Sequence, residues 1–177
     1  SRYFLTKRDV VNVSLFSRLP YDPVRDFAPV ALVVEADGLL VLHPSVPVKT
    51  VKELVALARA RPAQLVYASA GNGTASHLAG ELFKSLAKID LVHIPYKGNV
   101  PAITDLVGGQ TSMLFATMPT VMPLARAGKL HAIAVTGAQR NPAAPEVPAM
   151  AELLPGFEVT NWIGMFAPAG TPADIIA

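Results

Sequence analysis

The feature that most constrains the fold is an alternation of short apolar runs with amphipathic stretches across residues 39–136. Residues 39–42 form an apolar run of the kind found in buried strands. After it, Thr50 and Glu53 match the T-x-x-E pattern that caps a helix, and Pro62 ends that helix. This alternation predicts an α/β protein built on a parallel sheet with right-handed crossovers.

The same alternation continues along the chain. Strands are predicted at residues 65–68, 91–94, 112–116 and 130–136, and helices at residues 78–86, 101–107 and 119–127. In a parallel sheet, ligands bind beyond the carboxyl ends of the strands, where loops lead into helices. This rule predicts that the loops at residues 69–74, 95–99 and 116–118 form a binding site.

The composition excludes several classes of function. The 177 residues are 51% hydrophobic and 16% charged, which suits a sheet covered on both faces and not a disordered chain. The net charge is +2 with lysine and arginine scattered, so the clustered basic face of a nucleic-acid-binding protein is not expected. The sequence has no cysteine, and its four histidines lack metal-ligand spacing, so neither a disulfide framework nor a metal site is expected.

The strongest local feature is the segment SAGNGTASH at residues 69–77, hereafter the glycine loop, which joins a predicted strand to a predicted helix. Glycine lets the backbone approach a ligand closely, and the free amides and dipole of the following helix favour an anion. Thr74 and Ser76 add hydroxyl donors. The segment is therefore predicted to hold a carboxylate, although an ordinary tight turn with Thr74 as the helix N-cap is an equally good interpretation.

A nucleotide cofactor does not fit the glycine loop. The third glycine of G-x-G-x-x-G falls on Ser76, and no G-K-[ST] follows, so no cofactor is expected. Ser69 lacks the G-x-S-x-G elbow of a serine hydrolase, and no other convergent acid, base and nucleophile can be assembled. The chain is therefore predicted not to be an enzyme.

Three other polar side chains are candidates for ligand contact. His77 either contacts the ligand or takes the more common role of a capping or core histidine. After the next strand, Tyr96 could wall a pocket and Lys97 could pair with a carboxylate. A surface turn with a solvated lysine is the simpler interpretation of Lys97.

Six segments together resemble one known family. They are LPYDP at residues 19–23 with DFAPV at 26–30, PS at 44–45 with KTVKEL at 49–54, SAGNG at 69–73, HLAGELF at 77–83, PYKG at 95–98, and APAGTP at 167–172. From about Asn12 onward the chain is similar to the Bug-type extracytoplasmic solute receptors of tripartite tricarboxylate transporters.

The resemblance implies the type II periplasmic-binding-protein fold, in which two α/β lobes close on a ligand. It implies one complete lobe plus part of the other, with a partial first lobe at residues 1–39, the second lobe at residues 40–135, and a return to the first lobe at residues 136–177. The remaining segments of the first lobe, the C-terminal helices and the export signal would then lie outside these residues.

The resemblance also implies a function. Such receptors capture a di- or tricarboxylate, or a related small acid, in the periplasm and deliver it to membrane permease subunits. Their ligand contacts come largely from backbone amides and bridging water. In this sequence the contacts map onto Gly71, Asn72, Gly73, Thr74, Ser76 and His77, with Tyr96, Phe115 and Ala116 as nearby candidates.

Ala116 bears on the class of ligand. Many relatives carry an acidic or polar residue at this position, where a carboxylate would pair with the ammonium group of an amino acid. Ala116 offers no charge and Thr117 offers only a hydroxyl. Because an unpaired charge in a closed site is costly, an organic acid without an ammonium group is expected.

Two further expectations remain open. The effector-binding domain of a transcriptional regulator shares this architecture and is an alternative function. A partial first lobe would leave apolar sheet uncovered, so self-association of the chain, or a partner chain that covers this surface, is also expected.

Overall fold

The computed structural model describes residues 3–15 and 18–176, and the chain divides into two compact units. These are unit 1, residues 1–36 with 161–177, and unit 2, residues 37–160. The other five positions, 1, 2, 16, 17 and 177, belong to segments predicted for the first lobe and lie outside the described residues.

Unit 2 follows the predicted alternation of strands and helices. It includes the carboxyl half of the long strand β2, which spans Phe27–Leu42. The elements after β2 are α2 Val51–Ala60, β3 Val66–Ser69, α3 Ala75–Ala87, β4 Val92–Pro95, α4 Asn99–Val107, β5 Met113–Thr117, α5 Met118–Arg126 and β6 His131–Val135. Each predicted element is present with only small shifts of its ends, except that β2 begins at Phe27 instead of residue 39.

The sheet of unit 2 is mixed instead of wholly parallel. β3 pairs in parallel with β4 and with β5, whereas β2 pairs antiparallel with β5 on one side and with β6 on the other. In this sheet β2 alone runs against the other four strands. The prediction of a parallel sheet is wrong for β2, because a strand buried on both faces has the same apolar pattern in either direction.

Both faces of this sheet are covered, which explains the uninterrupted apolar sequence of β2. Leu40 and Leu42 belong to the core on one face together with Phe83 of α3. Leu39 and Val41 belong to the core on the other face. All five side chains are fully shielded from solvent, and burial of one such side chain stabilises the fold by about 1.5–3 kcal/mol.

Helices α2 and α3 begin where their capping residues predict. Oγ1 of Thr50 accepts a hydrogen bond from the Glu53 amide, and the Glu53 carboxylate accepts one from the Thr50 amide, both at 3.2 Å. This confirms the capping box. Thr74 is the N-cap of α3, and its Oγ1 accepts from the amide of His77. The capping interpretation of Thr74 is therefore confirmed.

Residues 136–160 remain with unit 2, whereas the sequence predicted a return to the first lobe from residue 136. The amide of Val135 donates to the carbonyl of Pro148 at 2.9 Å, so this segment lies along the outer edge of β6. Met150 and Phe157 in this segment are fully buried in the core. Isolated apolar residues in a proline-rich loop have no strand or helix period, which is why the sequence did not predict their burial. The assignment of the units to two lobes stays a prediction.

Unit 1 is formed by β1 Tyr3–Thr6, α1 Lys7–Leu15, the amino half of β2, β7 Thr160–Pro168 and α6 Ala173–Ile176. β1 and β7 pair antiparallel. Three consecutive residues of β2, Leu32, Val33 and Val34, are 62%, 51% and 45% exposed. Because neighbouring strand residues point to opposite faces, apolar surface is open on both faces of β2 here. The expected self-association, or a partner chain, would cover this surface, and it stays a prediction.

Thr136 links the two chain segments through which unit 2 begins and ends. Its side chain is buried, and its Oγ1 accepts a hydrogen bond from the Gly38 amide at 2.8 Å and donates one to the Val159 carbonyl at 2.6 Å. Its own amide donates to the Gly38 carbonyl, and its carbonyl accepts from the Val159 amide, both at 2.9 Å. Thr136 therefore makes two hydrogen bonds to each segment.

Replacing Thr136 with valine is expected to destabilise the protein. Valine keeps the shape but leaves the Gly38 amide and the Val159 carbonyl without the hydroxyl, and a buried polar group that loses its partner costs about 1–3 kcal/mol. Thr136→Ser keeps the hydroxyl and is the matched control, with an expected loss of about 1 kcal/mol for the deleted methyl group. Chemical denaturation measures both variants, and a valine variant as stable as the serine variant would contradict the prediction.

Candidate functional site

Four strands of unit 2 end at the same edge of the sheet, because β3, β4, β5 and β6 run in one direction. The glycine loop follows β3 at this edge. The loop after β4 lies beside it, since the Tyr96 amide donates to the Ser69 carbonyl at 2.9 Å and the Gly98 amide donates to the Ala70 carbonyl at 3.0 Å. The structure therefore brings the first two predicted site loops into direct contact.

Two glycines determine the shape of the glycine loop. Gly71 has a φ of +127° and Gly73 a φ of +76°, which are conformations that other residues rarely adopt. A β-carbon on Gly71 would also lie 3.0 Å from the carbonyl oxygen of Tyr96. Glycine is therefore needed at position 71 both for its backbone conformation and for close contact with the neighbouring loop.

The two hydroxyl groups of the glycine loop bond within the loop. Oγ of Ser76 accepts from the Ala70 amide and lies 2.9 Å from Oγ1 of Thr74. Thr74 in turn donates to the Gly71 carbonyl at 2.6 Å. Because Thr74 uses its hydroxyl hydrogen there, Ser76 is the donor between the two hydroxyls. This geometry does not support Thr74 and Ser76 as hydroxyl donors to a ligand.

Three backbone amides of the glycine loop remain free. Within the described part of the chain, the amides of Asn72, Ala75 and Ser76 have no acceptor. Ala75 and Ser76 lie in the first turn of α3, where amides lack an intrahelical partner and the helix dipole favours negative charge. Asn72 is exposed. These three amides are suited to binding an anion.

His77 supplies a fourth donor. Its Nδ1 accepts a hydrogen bond from the Gly73 amide at 3.2 Å. A nitrogen that accepts a hydrogen bond carries no proton, so the neutral ring carries its proton on Nε2. Nε2 has no partner among the described residues and can donate to an anion. The side chain is therefore compatible with both interpretations of His77, because Nδ1 accepts from the loop backbone and Nε2 has no partner among the described residues.

His77 is the first of three stacked rings. It stacks on His93, and His93 stacks on Tyr67, with both pairs of ring centroids 4.6 Å apart. The Tyr67 hydroxyl donates to Glu81 at 2.6 Å, and burial together with this bond raises the pKa of Tyr67. Nε2 of His93 lies 2.7 Å from Oγ of Ser69. Burial is the main cause that lowers the pKa of His93, and the neighbouring His77 is the second, so this ring is neutral at pH 7.

The sequence analysis did not predict the pair formed by Ser69 and His93. Both residues lie in short, mostly apolar strands, where a polar residue is unusual. In the parallel register Ser69 pairs with Pro95 and Tyr67 pairs with His93, so the two polar residues become neighbours only after β3 and β4 align. Two polar positions in consecutive apolar strands were the signal that could have revealed the pair.

Tyr96 and Lys97 contribute differently to the neighbouring loop. The Tyr96 hydroxyl donates to Asp105 of α4 at 2.7 Å, so this hydroxyl is not a free donor. Its ring packs against apolar residues of the core. Lys97 is exposed. Tyr96 therefore supports the loop next to Gly71, and the exposure of Lys97 agrees with a surface turn.

Phe115 and Ala116, which the sequence analysis placed near the ligand, are core residues. They are only 1% and 3% exposed. Phe115 packs between Phe83 and Phe157, with ring centroids 6.1 and 6.2 Å away. Ala116 pairs with Leu39 in the sheet. Because β5 is an interior strand covered on both faces, neither side chain can contact a ligand, and we do not retain them in the site.

The described chain holds neither a metal cluster nor a membrane-spanning helix. Residues 3–15 and 18–176 contain no cluster of three histidine or acidic residues that could hold a metal ion. In the same ranges, no helix has the length and apolar character needed to cross a bilayer. A groove of about 430 Å³ lies beside β6, but its charged residues Lys49, Arg126 and Glu146 are all exposed.

Comparison with known proteins identifies the family. Residues 6–177 match the model of the tripartite tricarboxylate transporter family receptor, and the chain belongs to this family. The resemblance noted in the sequence is therefore confirmed. This is a family of solute-binding receptors and not of enzymes, which favours a receptor over the effector-binding domain of a transcriptional regulator.

Curated relatives agree with this assignment. The chain is 40% identical over 169 residues to the UPF0065 protein in the tcbD-tcbE intergenic region of Pseudomonas sp. (strain P51), covering 94% of this chain and 50% of that protein. It is 36% identical over 167 residues to protein BugT of Bordetella pertussis, covering 94% and 51%. The chain spans about half the length of these curated relatives.

Solved structures share the fold. R. palustris Rpa4515 with adipate has 36% identity and a TM-score of 0.84, over 91% of this chain and 54% of that one. Periplasmic binding protein BugD has 33% identity and a TM-score of 0.89, over 99% and 59%. MatC from Rhodopseudomonas palustris with bound malate has 35% identity and a TM-score of 0.87, over 99% and 60%. The predicted α/β fold of periplasmic binding proteins is confirmed.

The hydrogen bond between Tyr96 and Asp105 is expected to raise the pH at which Tyr96 ionises. The Asp105 carboxylate accepts from the phenol, stabilises its neutral form and raises the pKa of Tyr96 from 10.0 to about 12. The resulting stabilisation is fully present below pH 10, the ordinary value, and is lost as the pH rises through about 12.

Tyrosinate absorbance, taken as the difference between the wild type and Tyr96→Phe, measures this titration. The Asp105→Asn variant removes the charge and is expected to return the midpoint towards the ordinary value of 10.0. An unshifted Tyr96 midpoint in the wild type would show that the bond is absent in solution.

Proposed function

We propose that the full-length protein is a periplasmic receptor that captures a small organic acid and delivers it to the membrane subunits of a tripartite tricarboxylate transporter. The observation that carries this proposal is the set of free donors in the glycine loop, which comprises the amides of Asn72, Ala75 and Ser76 and Nε2 of His77. An ionised carboxylate offers about four lone-pair sites on its two oxygens. Four donors at a helix N-terminus therefore suit one carboxylate group.

The charges at this edge of the sheet favour an acid over an amino acid. Glu81 is bonded to Tyr67 and to Lys84, and Asp105 is bonded to Tyr96. A ligand ammonium group would have to share a carboxylate that already accepts from another side chain, and leaving that charge unpaired is costly. We therefore propose a ligand that has no ammonium group.

The solved relatives support a dicarboxylate. One related structure holds adipate and another holds malate, and both molecules have two carboxylates and no ammonium group. At 36% and 35% identity, these relatives support the chemical class of the ligand and leave its chain length open. The donors of the glycine loop would bind one carboxylate of such a ligand.

The family supports the proposed location and partner. The matching family is the receptor component of tripartite tricarboxylate transporters, and BugD is a periplasmic binding protein. A receptor of this kind works by carrying its ligand to a permease. We therefore propose that the membrane partner is the permease of a transporter of this class.

Calorimetry on the full-length protein tests the class of ligand with a matched pair. Malate and aspartate have the same carbon skeleton, but malate carries a hydroxyl group where aspartate carries an ammonium group. We expect malate or adipate to bind, and aspartate to bind at least about tenfold more weakly, because the unpaired ammonium costs more than about 1.4 kcal/mol. Tight aspartate binding without a response to malate would overturn the proposed ligand class.

A glycine substitution tests the site. Gly73→Ala places a β-carbon at a φ of +76°, which costs about 1–2 kcal/mol and moves the loop that holds the free amides. Loss of one hydrogen bond to a charged group costs about 1.5–3 kcal/mol, so the affinity for malate or adipate is expected to fall about tenfold or more.

Gly128→Ala is the matched control. Gly128 has a φ of +71°, it lies between α5 and β6, and a β-carbon there meets no atom within 4 Å. Its backbone strain is therefore similar, and its affinity is expected to be unchanged. Equal affinities of the Gly73→Ala and Gly128→Ala variants would contradict a role for the glycine loop.

A further inference from the structure

The glycine loop is supported by a pair of stacked histidines. The Gly73 amide donates directly to Nδ1 of His77 at 3.2 Å. The Gly71 amide donates to Oγ of Ser69 at 3.2 Å, and that oxygen lies 2.7 Å from Nε2 of His93. The Gly73 amide is therefore hydrogen-bonded directly to an imidazole nitrogen, and the Gly71 amide is connected to the other imidazole through the hydroxyl of Ser69.

The burial of Ser69 determines the tautomer of His93. Ser69 is fully buried, and its Oγ already accepts from the Gly71 amide. Its hydroxyl hydrogen therefore goes to Nε2 of His93, its other hydrogen-bond partner in the described structure. Buried hydroxyls use their hydrogens, so His93 accepts at Nε2 and carries its proton on Nδ1. His77 has the opposite tautomer, with its proton on Nε2.

The charged groups that face the histidine pair have opposite effects on a positive charge there, and burial disfavours one on His93. Tyr67 covers the other face of His93, Glu81 attracts positive charge towards the pair, and Lys84 repels it. Two charged imidazoles with centroids 4.6 Å apart would repel each other. Protonation of Nδ1 of His77 would turn it into a donor that faces the Gly73 amide, and protonation of Nε2 of His93 would make the Ser69 hydroxyl turn and accept from the ring. The hydrogen bonds of the glycine loop in their present directions therefore require both rings to be neutral.

We propose that His93 is a positioning residue of the glycine loop, which holds Gly71 through Ser69 and orients His77 by stacking so that Nε2 of His77 is free for the ligand. This inference rests on the proposed function, because it gives His93 a role in binding an organic acid. Ligand binding should then weaken as the pH falls through the range in which His93 takes up a proton, which lies lower than usual because burial lowers the pKa of His93. Below that range Nε2 of His93 no longer accepts from Ser69.

A double-mutant cycle in the full-length protein tests the connection through Ser69. His93→Phe keeps an aromatic ring in the stack and removes the accepting nitrogen, whereas Ser69→Ala removes the hydroxyl. Each variant is expected to weaken binding of malate or adipate about tenfold. The double variant is also expected to lose about tenfold, because both changes break the same connection. Losses that multiply to about a hundredfold, or single variants with wild-type affinity, would overturn the inference.

The structure offers a matched control outside the glycine loop. Oγ of Ser45 lies 2.7 Å from Nδ1 of His43, which is a serine–histidine pair of the same length. Ser45→Ala should therefore keep the wild-type affinity and pH profile. Burial lowers the pKa of His93 from the ordinary 6.5, so the wild-type affinity is expected to fall only at a pH below that value, and His93→Phe should show a shallower fall. Identical slopes in the wild type and His93→Phe would count against His93.

Nitrogen-15 NMR of the imidazoles in the ligand-free protein separates failure of the inference from failure of the proposed function. At neutral pH we expect the proton on Nδ1 of His93 and on Nε2 of His77. If these tautomers are found but neither malate nor adipate binds, the positioning geometry is supported and the proposed ligand class is wrong. A charged His93, or a proton on its Nε2, overturns the inference whatever acid binds.

Discussion

The four hydrogen bonds of Thr136 hold the arrangement on which the rest of unit 2 depends. They join Gly38, near the point where the chain enters unit 2, to Val159, near the point where it leaves. Water cannot replace them easily, because the threonine is buried. They anchor β2 beside β6 at the point where β6 ends, and β2 in turn separates β6 from β5. The carboxyl ends of the other four strands then lie at one edge, where the glycine loop begins.

The polar groups of the glycine loop have two separate roles. The hydroxyls of Thr74 and Ser76 and the amides of Gly71 and Gly73 stabilise the loop itself. The amides of Asn72, Ala75 and Ser76 and Nε2 of His77 have no partner among the residues that the structure describes, and they can receive a ligand. A loop whose shape is already held by internal bonds loses little conformational freedom on binding, so its donors can hold an anion without a charged side chain. Protonation of the histidine pair would weaken the same internal bonds.

Family membership and loop geometry support the proposed function in different ways. The family match shows that the chain belongs to solute-binding receptors, whereas the donors of the glycine loop are the reason for proposing an anionic ligand. The related structures with adipate and malate agree with that charge. Phe115 and Ala116 do not add to the argument as contacts, because they are buried. Because both side chains are buried, the proposed ligand contacts come mainly from the backbone of the glycine loop.

The sequence by itself determined the features whose partners are close along the chain. The capping box of Thr50 and Glu53 links residues three apart, and the glycine loop can be recognised from its own residues. Tertiary structure alone decided the direction of β2, the burial of Phe115, and the pairing of Ser69 with His93, which lie 24 residues apart. An apolar run records that a strand is buried but not which strand lies beside it. Contacts between distant residues therefore appear only when the strands align.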